Sequence, residues 1–305
     1  MNKYNNFENC KIKPFSSGMK NNVGRVIIEG VESPYVIKRF PDLKKSDITD
    51  MFKTELKSYR ALVNTDLTPK LIYYDEFKRL LTLSYANGKD LNQEEIGASK
   101  DFNNNISPIA QSLAKLYTTC SHINVLGLRN INLHKDLNDG IDLLLETGLL
   151  KYNKNLDNAV SSLNMPDDKY QFVHGSLNPG NIIYDSETNS CKFIDFELAA
   201  QAPSLYDIGF LIARNGKSSV VNTMLTEIFA TEIGQEANIV KETVDLYRVI
   251  SSVLLLGLDS KTLRKKYDVK INNRFKSVKN NLNQHISNNQ NTHRLTYLVL
   301  NNMVK

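Results

Sequence analysis

The stretch Asn181–Asp195 constrains this chain more than any other. It reads as a strand, "IIY", a polar turn, "DSETNS", and a second strand, "CKFI", which together spell a β-hairpin. Paired strands run ~4.8 Å apart. Asn181 stands just before the first strand and Asp195 just after the second, so both arrive side by side at one end. An amide oxygen and a carboxylate in that relation are hard oxygen ligands suited to Mg²⁺, which fills its other positions with waters and phosphate oxygens. Taken alone, the pattern also fits a surface hairpin with two polar flanks.

What surrounds the hairpin narrows the fold class. Strand signals crowd the first 85 residues: "VGRVIIEG" (23–30), "PYVIKRF" (34–40), "KLIYYDE" (70–76) and "RLLTLSY" (79–85). One helix breaks them, 46–62, with Ile48, Met51, Phe52, Leu56, Tyr59 and Leu62 on one stripe. Beyond Gly88 the periodicity turns helical, over 106–120, 136–150, 156–164, 204–214, 218–232, 238–256 and much of 260–303. The hairpin supplies the only strands expected among those helices. The chain is therefore expected to be α+β, with a small β-rich lobe (1–85), a large mainly helical lobe (86–305) and a seam near 84–90. At 305 residues it is long enough for both.

Composition excludes several classes. A hydrophobic share of 41% with 23% charged residues is that of a soluble globular chain, and no apolar run approaches the ~20 residues of a membrane span. The N-terminal "MNKYNNFENCKIK" has no signal-peptide core, so a cytoplasmic location is expected. Cys10, Cys120 and Cys191 are far apart and outside zinc-ligand spacing, and the five histidines form no HxxxH pair. A net charge of +5 is too mild and too diffuse for nucleic-acid binding. The basic run Lys261, Arg264, Lys265, Lys266, Lys270, Arg274, Lys276 and Lys279 reads first as a solvated helix face. Nothing in the residues sets an oligomeric state.

Two charges fall where apolar residues belong. Lys38 interrupts a half-buried strand, and Glu55 lies on the apolar stripe between Met51 and Tyr59. A lone carboxylate on a buried face needs a partner. A strand lysine paired with a helix glutamate and free to reach phosphates is an arrangement of kinase-type phosphoryl transfer; a purely structural ion pair is the alternative. Gly18 and Gly24 bracket a polar turn, "FSSGMKNNVGRV", that could bring backbone N–H groups over a phosphate. It is neither a GxGxxG nor a Walker A loop.

In order along the chain, "SSGMKNNVGRV", "YVIKRF", "FKTELKSYRAL", "LTPKLIYYDE", "LSYANGKDL", "HGSLNPGN", "FIDFELA" and "PSLYDIGFL" resemble the aminoglycoside phosphotransferase and choline kinase group. These are small-molecule kinases related in fold to protein kinases. The resemblance implies a two-lobed protein-kinase-like fold and the cofactors ATP and Mg²⁺. Lys38 would hold the α/β-phosphates, oriented by Glu55, with Gly18 in the nucleotide loop. Ser84, Tyr85 and Ala86 would meet adenine through backbone groups. Asn181 and Asp195 would bind Mg²⁺, and Glu197 follows as in choline-kinase-like members. Asp207 would brace the catalytic loop and His174 would prop it.

One letter departs from the pattern. Ser176 occupies the place of the aspartate that accepts the acceptor hydroxyl's proton, and serine cannot do so at neutral pH without a base of its own. General-base assistance is worth roughly 10²–10⁴-fold, whereas positioning and charge stabilisation carry most of phosphoryl transfer. Three accounts stay open: another acid takes over, Glu197 being nearest in sequence; the chain is a pseudokinase, binding nucleotide as a regulatory module; or serine is not the natural residue. The expected acceptor is a small hydroxyl-bearing molecule such as an aminoglycoside, amino alcohol or sugar-like compound. Asp136, Asp139, Asp142 and Glu146 in 136–150 would suit a cationic one or simply form a solvated face. The absence of tryptophan weakens a choline cage. A protein kinase is disfavoured, since no HRD, DFG or APE-like set occurs.

Overall fold

The computed structural model describes residues 10–15, 22–28, 30–42, 50–93, 97–98, 100–166, 169–215, 219–265, 269–284 and 290–303. Gly18 and Lys266 lie outside them. Five strands open the chain: β1 (Cys10–Pro14), β2 (Asn22–Ile28), β3 (Val31–Arg39), β4 (Leu71–Asp75) and β5 (Leu80–Ser84). They form an antiparallel sheet in the order β1-β2-β3-β5-β4. Helix α1 (Met51–Ala61) intervenes after β3, its first turn capped by the Asp50 side chain accepting from the Lys53 N–H. Of the stripe read from the sequence, Phe52, Leu56, Tyr59 and Leu62 are buried in one core with Phe40, Leu81 and Leu83, Met51 is half-buried against it, and Ile48 lies outside the described residues. Each such burial stabilises by roughly 1.5–3 kcal/mol.

Helices dominate the remainder. After short β6 (Lys89–Asp90), β7 (Asn92–Gln93) and β8 (Gly97–Ala98) come α2 (Lys100–Asn104) and α3 (Ile106–Cys120). Next are β9 (Arg129–Asn130), α4 (Leu133–Glu146) and α5 (Lys154–Ser161), then β10 (Tyr170–Val173), β11 (Ile182–Asp185), β12 (Ser190–Phe193) and β13 (Ala200–Pro203). Five helices follow: α6 (Tyr206–Asn215), α7 (Ser219–Glu232), α8 (Ala237–Lys265), α9 (Val269–Gln284) and α10 (Gln290–Asn302). Among the described residues no helix is long and apolar enough to cross a membrane.

Three expectations need correction. The predicted hairpin is not the only strand pair among the helices. β10 and β9 flank β13, and β6 joins the edge of β11. These are two to four residues long, too short for an alternating pattern, and they exist because tertiary neighbours pair them. The helix expected to stop at 256 continues to Lys265, because Gly257 serves close packing and not termination. A Cβ on Gly257 would lie 2.6 Å from the Gly140 carbonyl oxygen, and one on Gly140 would lie 2.7 Å from Leu254 backbone, so α4 and α8 touch backbone to backbone at a glycine crossing. Helix α4 also begins earlier than expected, capped by Asn132, whose side chain accepts from the Lys135 N–H. Strand β1 carries no alternation of buried and exposed residues (Lys11 to Pro14 are all exposed) and escaped the sequence reading.

Candidate active site

Three strand pairs deliver the site residues to one place. In the first sheet Lys38 sits opposite Leu81 on β5 and Val23 on β2, facing α1. In the hairpin Ile182 is paired with Phe193, and the Ile194 N–H donates to the Asn181 carbonyl at 3.0 Å. Asn181 and Asp195 thus leave the same end, as their spacing requires. In the third pair, Val173 on β10 opposes Ala200 on β13, which lays the turn His174–Gly175 against Leu198–Ala199. Gly175 has φ +79°, and a Cβ there would sit 2.1 Å from the Leu198 carbonyl oxygen. Only glycine fits that crossing.

Lys38 is the hub. Its ammonium is 2.5 Å from Glu55 Oε2, hydrogen-bonds Asp195 Oδ1 and stands 3.6 Å from Glu197 Oε2. Carboxylate oxygens of Glu55, Asp195 and Glu197 all lie within 4.8 Å of one another. Burial would strip the lysine of its charge, but the three acids outweigh burial and hold it above the ordinary lysine range. Glu55, fully buried, is pushed up to about 7, first by burial and then by Asp195 and Glu197, against the pull of Lys38. Its second oxygen, Oε1, is buried with no hydrogen-bond partner among the described residues. Asp195 adopts a left-handed conformation, φ 68° and ψ 58°, which Asp tolerates better than most residues.

The loop "HGSLNPGN" is braced from below. Asp207, near the start of α6, accepts from the His174 N–H at 2.7 Å and the Gly175 N–H at 2.9 Å. The His174 ring lies 2.8 Å from the Ile194 carbonyl through Nε2 and 4.4 Å from the Phe196 ring. Ser176 is half-buried, and its carbonyl accepts from the side-chain amides of Asn178 (3.1 Å) and Asn181 (3.3 Å). With its NH₂ so engaged, Asn181 has its amide oxygen left to face a cation.

At the opposite end of β5 the backbone is partly committed. The Ser84 N–H donates to the Lys70 carbonyl at 2.8 Å and the Tyr85 N–H to the Pro34 carbonyl at 2.7 Å, so the carbonyls and Ala86 are what a base could meet. The Arg25 guanidinium covers the Tyr85 ring at 3.9 Å. The acidic helix face divides. Asp142 and Glu146 are exposed and Asp139 pairs with Lys135 at 2.5 Å, whereas Asp136 is half-buried and pushed up to about 6, mainly by burial. Sequence reasoning passed over Tyr59 and Phe196, which looked like plain core residues; their rings meet edge to face at 5.8 Å beside the acids.

A family model described as the phosphotransferase enzyme family (APH) matches residues 11–232. No curated protein is matched by sequence. Among solved structures, a choline/ethanolamine kinase family protein from Mesorhizobium loti superposes with a TM-score of 0.67 at 13% identity, covering 95% of this chain and 92% of that one. The choline kinase LicA from Streptococcus pneumoniae gives 0.65 at 15%, covering 90% and 94%. Spectinomycin phosphotransferase APH(9)-Ia, in complex with ADP and spectinomycin, gives 0.57 at 13%, covering 95% and 92%. At these identities the likeness is one of fold: a mixed α+β, kinase-like architecture.

Proposed function

The chain belongs to the phosphotransferase enzyme family, and on that premise we propose that it transfers the γ-phosphoryl group of ATP, with Mg²⁺, to a hydroxyl of a small molecule. The observation that carries this reading is the single lysine held at once by a glutamate from α1 and an aspartate from beyond the β11–β12 hairpin. The donor set fits the cofactors. Hard oxygens of Asn181, Asp195 and Glu197 suit Mg²⁺, and a buried ammonium suits phosphate oxygens. In this reading Lys38 holds the α/β-phosphates and Glu55 keeps it in place. Asn181 and Asp195 ligate the metal, which supplies charge neutralisation at the phosphates, and Glu197 stands beside it. Gly18 belongs to the phosphate loop, while Ser84, Tyr85 and Ala86 border the base through carbonyls and the Ala86 backbone.

The nucleotide would sit between a small lobe, 1–85, and a large lobe, 86–305, in a cytoplasmic enzyme with ready access to ATP. Relatives of this fold described as choline kinase and spectinomycin phosphotransferase support an amino-alcohol or aminoglycoside-like acceptor, with Asp136 as the half-buried acid available to a cationic group. Ser176 favours one second reading, a pseudokinase that binds nucleotide and transfers poorly. Calorimetric titration with MgATP, followed by transfer assays on amino-alcohol and aminoglycoside panels, separates the two. Lys38→Ala should abolish nucleotide binding while the protein still melts cooperatively. Absence of binding by the wild-type chain at millimolar MgATP would end both readings.

A further inference from the structure

Tyr59 lies one helical turn beyond Glu55, on the same face of α1. It is 1% exposed, and its ring is fixed edge to face against Phe196, the residue that follows Asp195. Among the described residues its hydroxyl is buried without a well-formed hydrogen bond, as is Glu55 Oε1. The two groups are neighbours: after burial, Glu55 and Asp195 are the largest influences on the phenol. The hydroxyl therefore lies within reach of the glutamate and of the Asp195 backbone, and its contact with each falls short of a well-formed hydrogen bond.

Such a pair of idle, buried polar atoms is costly, about 1–3 kcal/mol for each, and a core position could have been filled by phenylalanine. We infer that Tyr59 is a positioning residue, whose hydroxyl donates to Glu55 Oε1 when Lys38 is drawn onto the nucleotide's phosphates. The inference rests on the phosphotransferase reading of the site. In the structure Lys38 divides itself among three carboxylates. A bound triphosphate competes for the same ammonium, and Glu55, fully buried, then loses part of the one cation paired with it among the described residues. Rotation of the phenolic O–H supplies a replacement donor one turn away, so the glutamate keeps a hydrogen-bond partner and stays in register with the lysine. The Phe196 contact makes this responsive to Asp195, since the ring and the metal-side carboxylate are adjacent in the chain.

The test is Tyr59→Phe, which keeps the ring. Because the hydroxyl makes no well-formed bond in the unliganded protein, its loss should leave the melting temperature unchanged or raise it. MgATP affinity, measured by calorimetry, should weaken roughly 3- to 10-fold, the worth of one net hydrogen bond. In a Glu55→Gln background the same change should have a clearly smaller effect, because a neutral amide oxygen is the weaker acceptor. Equal weakening in both backgrounds, unchanged affinity, or a Tyr59→Phe protein that fails to fold would each overturn the role. If wild-type protein does not bind MgATP, the phosphotransferase reading fails first, and this role falls with it.

Discussion

Asp207→Asn puts the brace of the His174–Gly175 turn to the test. The carboxylate receives two backbone N–H bonds, from His174 at 2.7 Å and Gly175 at 2.9 Å, in a place where the residue is 8% exposed. Asparagine keeps one acceptor oxygen and presents an NH₂ group to the second N–H. One charge-assisted bond disappears, worth about 1.5–3 kcal/mol, and one buried donor then faces another donor, costing about 1–3 kcal/mol. Against this, burial pushes the Asp207 carboxyl up, so a neutral side chain recovers part of the cost of enclosing a charge. The balance is a destabilisation of about 2–4 kcal/mol, which for a chain of this size lowers the melting temperature by roughly 5–10 °C. Circular dichroism melts read the global effect. Hydrogen exchange at the His174 and Gly175 amides reads the local one, and both should speed up. A melting shift under about 1 °C with unchanged exchange would refute the brace.

Asp136→Asn should show a pH signature. The folded pKa of Asp136, about 6, exceeds the usual 3.8, so ionising it opposes folding. Relative to wild type, the variant should be no more stable below pH 4 and should gain stability as pH rises to 6, then level off; a flat difference in denaturant melts would contradict the burial. Ser176→Asp should raise transfer to a verified acceptor by about 10²-fold or more with little change in ATP affinity, and an unchanged rate would mean position 176 does not face the acceptor. Gly140→Ala should destabilise by roughly 1–3 kcal/mol through overpacking against Leu254, although alanine is the better helix former. A higher melting temperature would show that α4 and α8 part freely.

What could be read from the residues depended on the range of the interactions involved. Lys38 and Glu55 were legible because each breaks an apolar pattern of its own element, and Asn181 and Asp195 because a hairpin sets their spacing. The β9–β13 pair was not legible. Arg129 meets Ala200 only through the tertiary fold, and two residues carry no periodicity. The length of α8 was not legible for a related reason: Gly257, a poor helix former by propensity, is a contact residue by packing. Among the acids of α4, burial by other elements singles out Asp136, and no spacing along the helix could have done so. Tyr59 was visible only as one more apolar stripe position, since its polar atom acquires meaning from Asp195, far away in the chain.

That distance has a bearing on biosynthesis. Lys38 and Glu55 emerge from the ribosome only 17 residues apart, but Asp195 lies 157 residues beyond Lys38. At translation rates of about 5–20 residues per second, the lysine waits roughly 8–30 s for its second carboxylate. During that interval the first sheet and α1 can form, with Lys38 and Glu55 facing one another, but Tyr59 has no Phe196 to pack on. The nascent chain therefore passes through a stage in which the Lys38–Glu55 pair lies at an edge that the Asp195–Glu197 segment has yet to cover. A chaperone would be expected to engage the chain at that stage, releasing it only once the β11–β12 hairpin and the segment after it have been made.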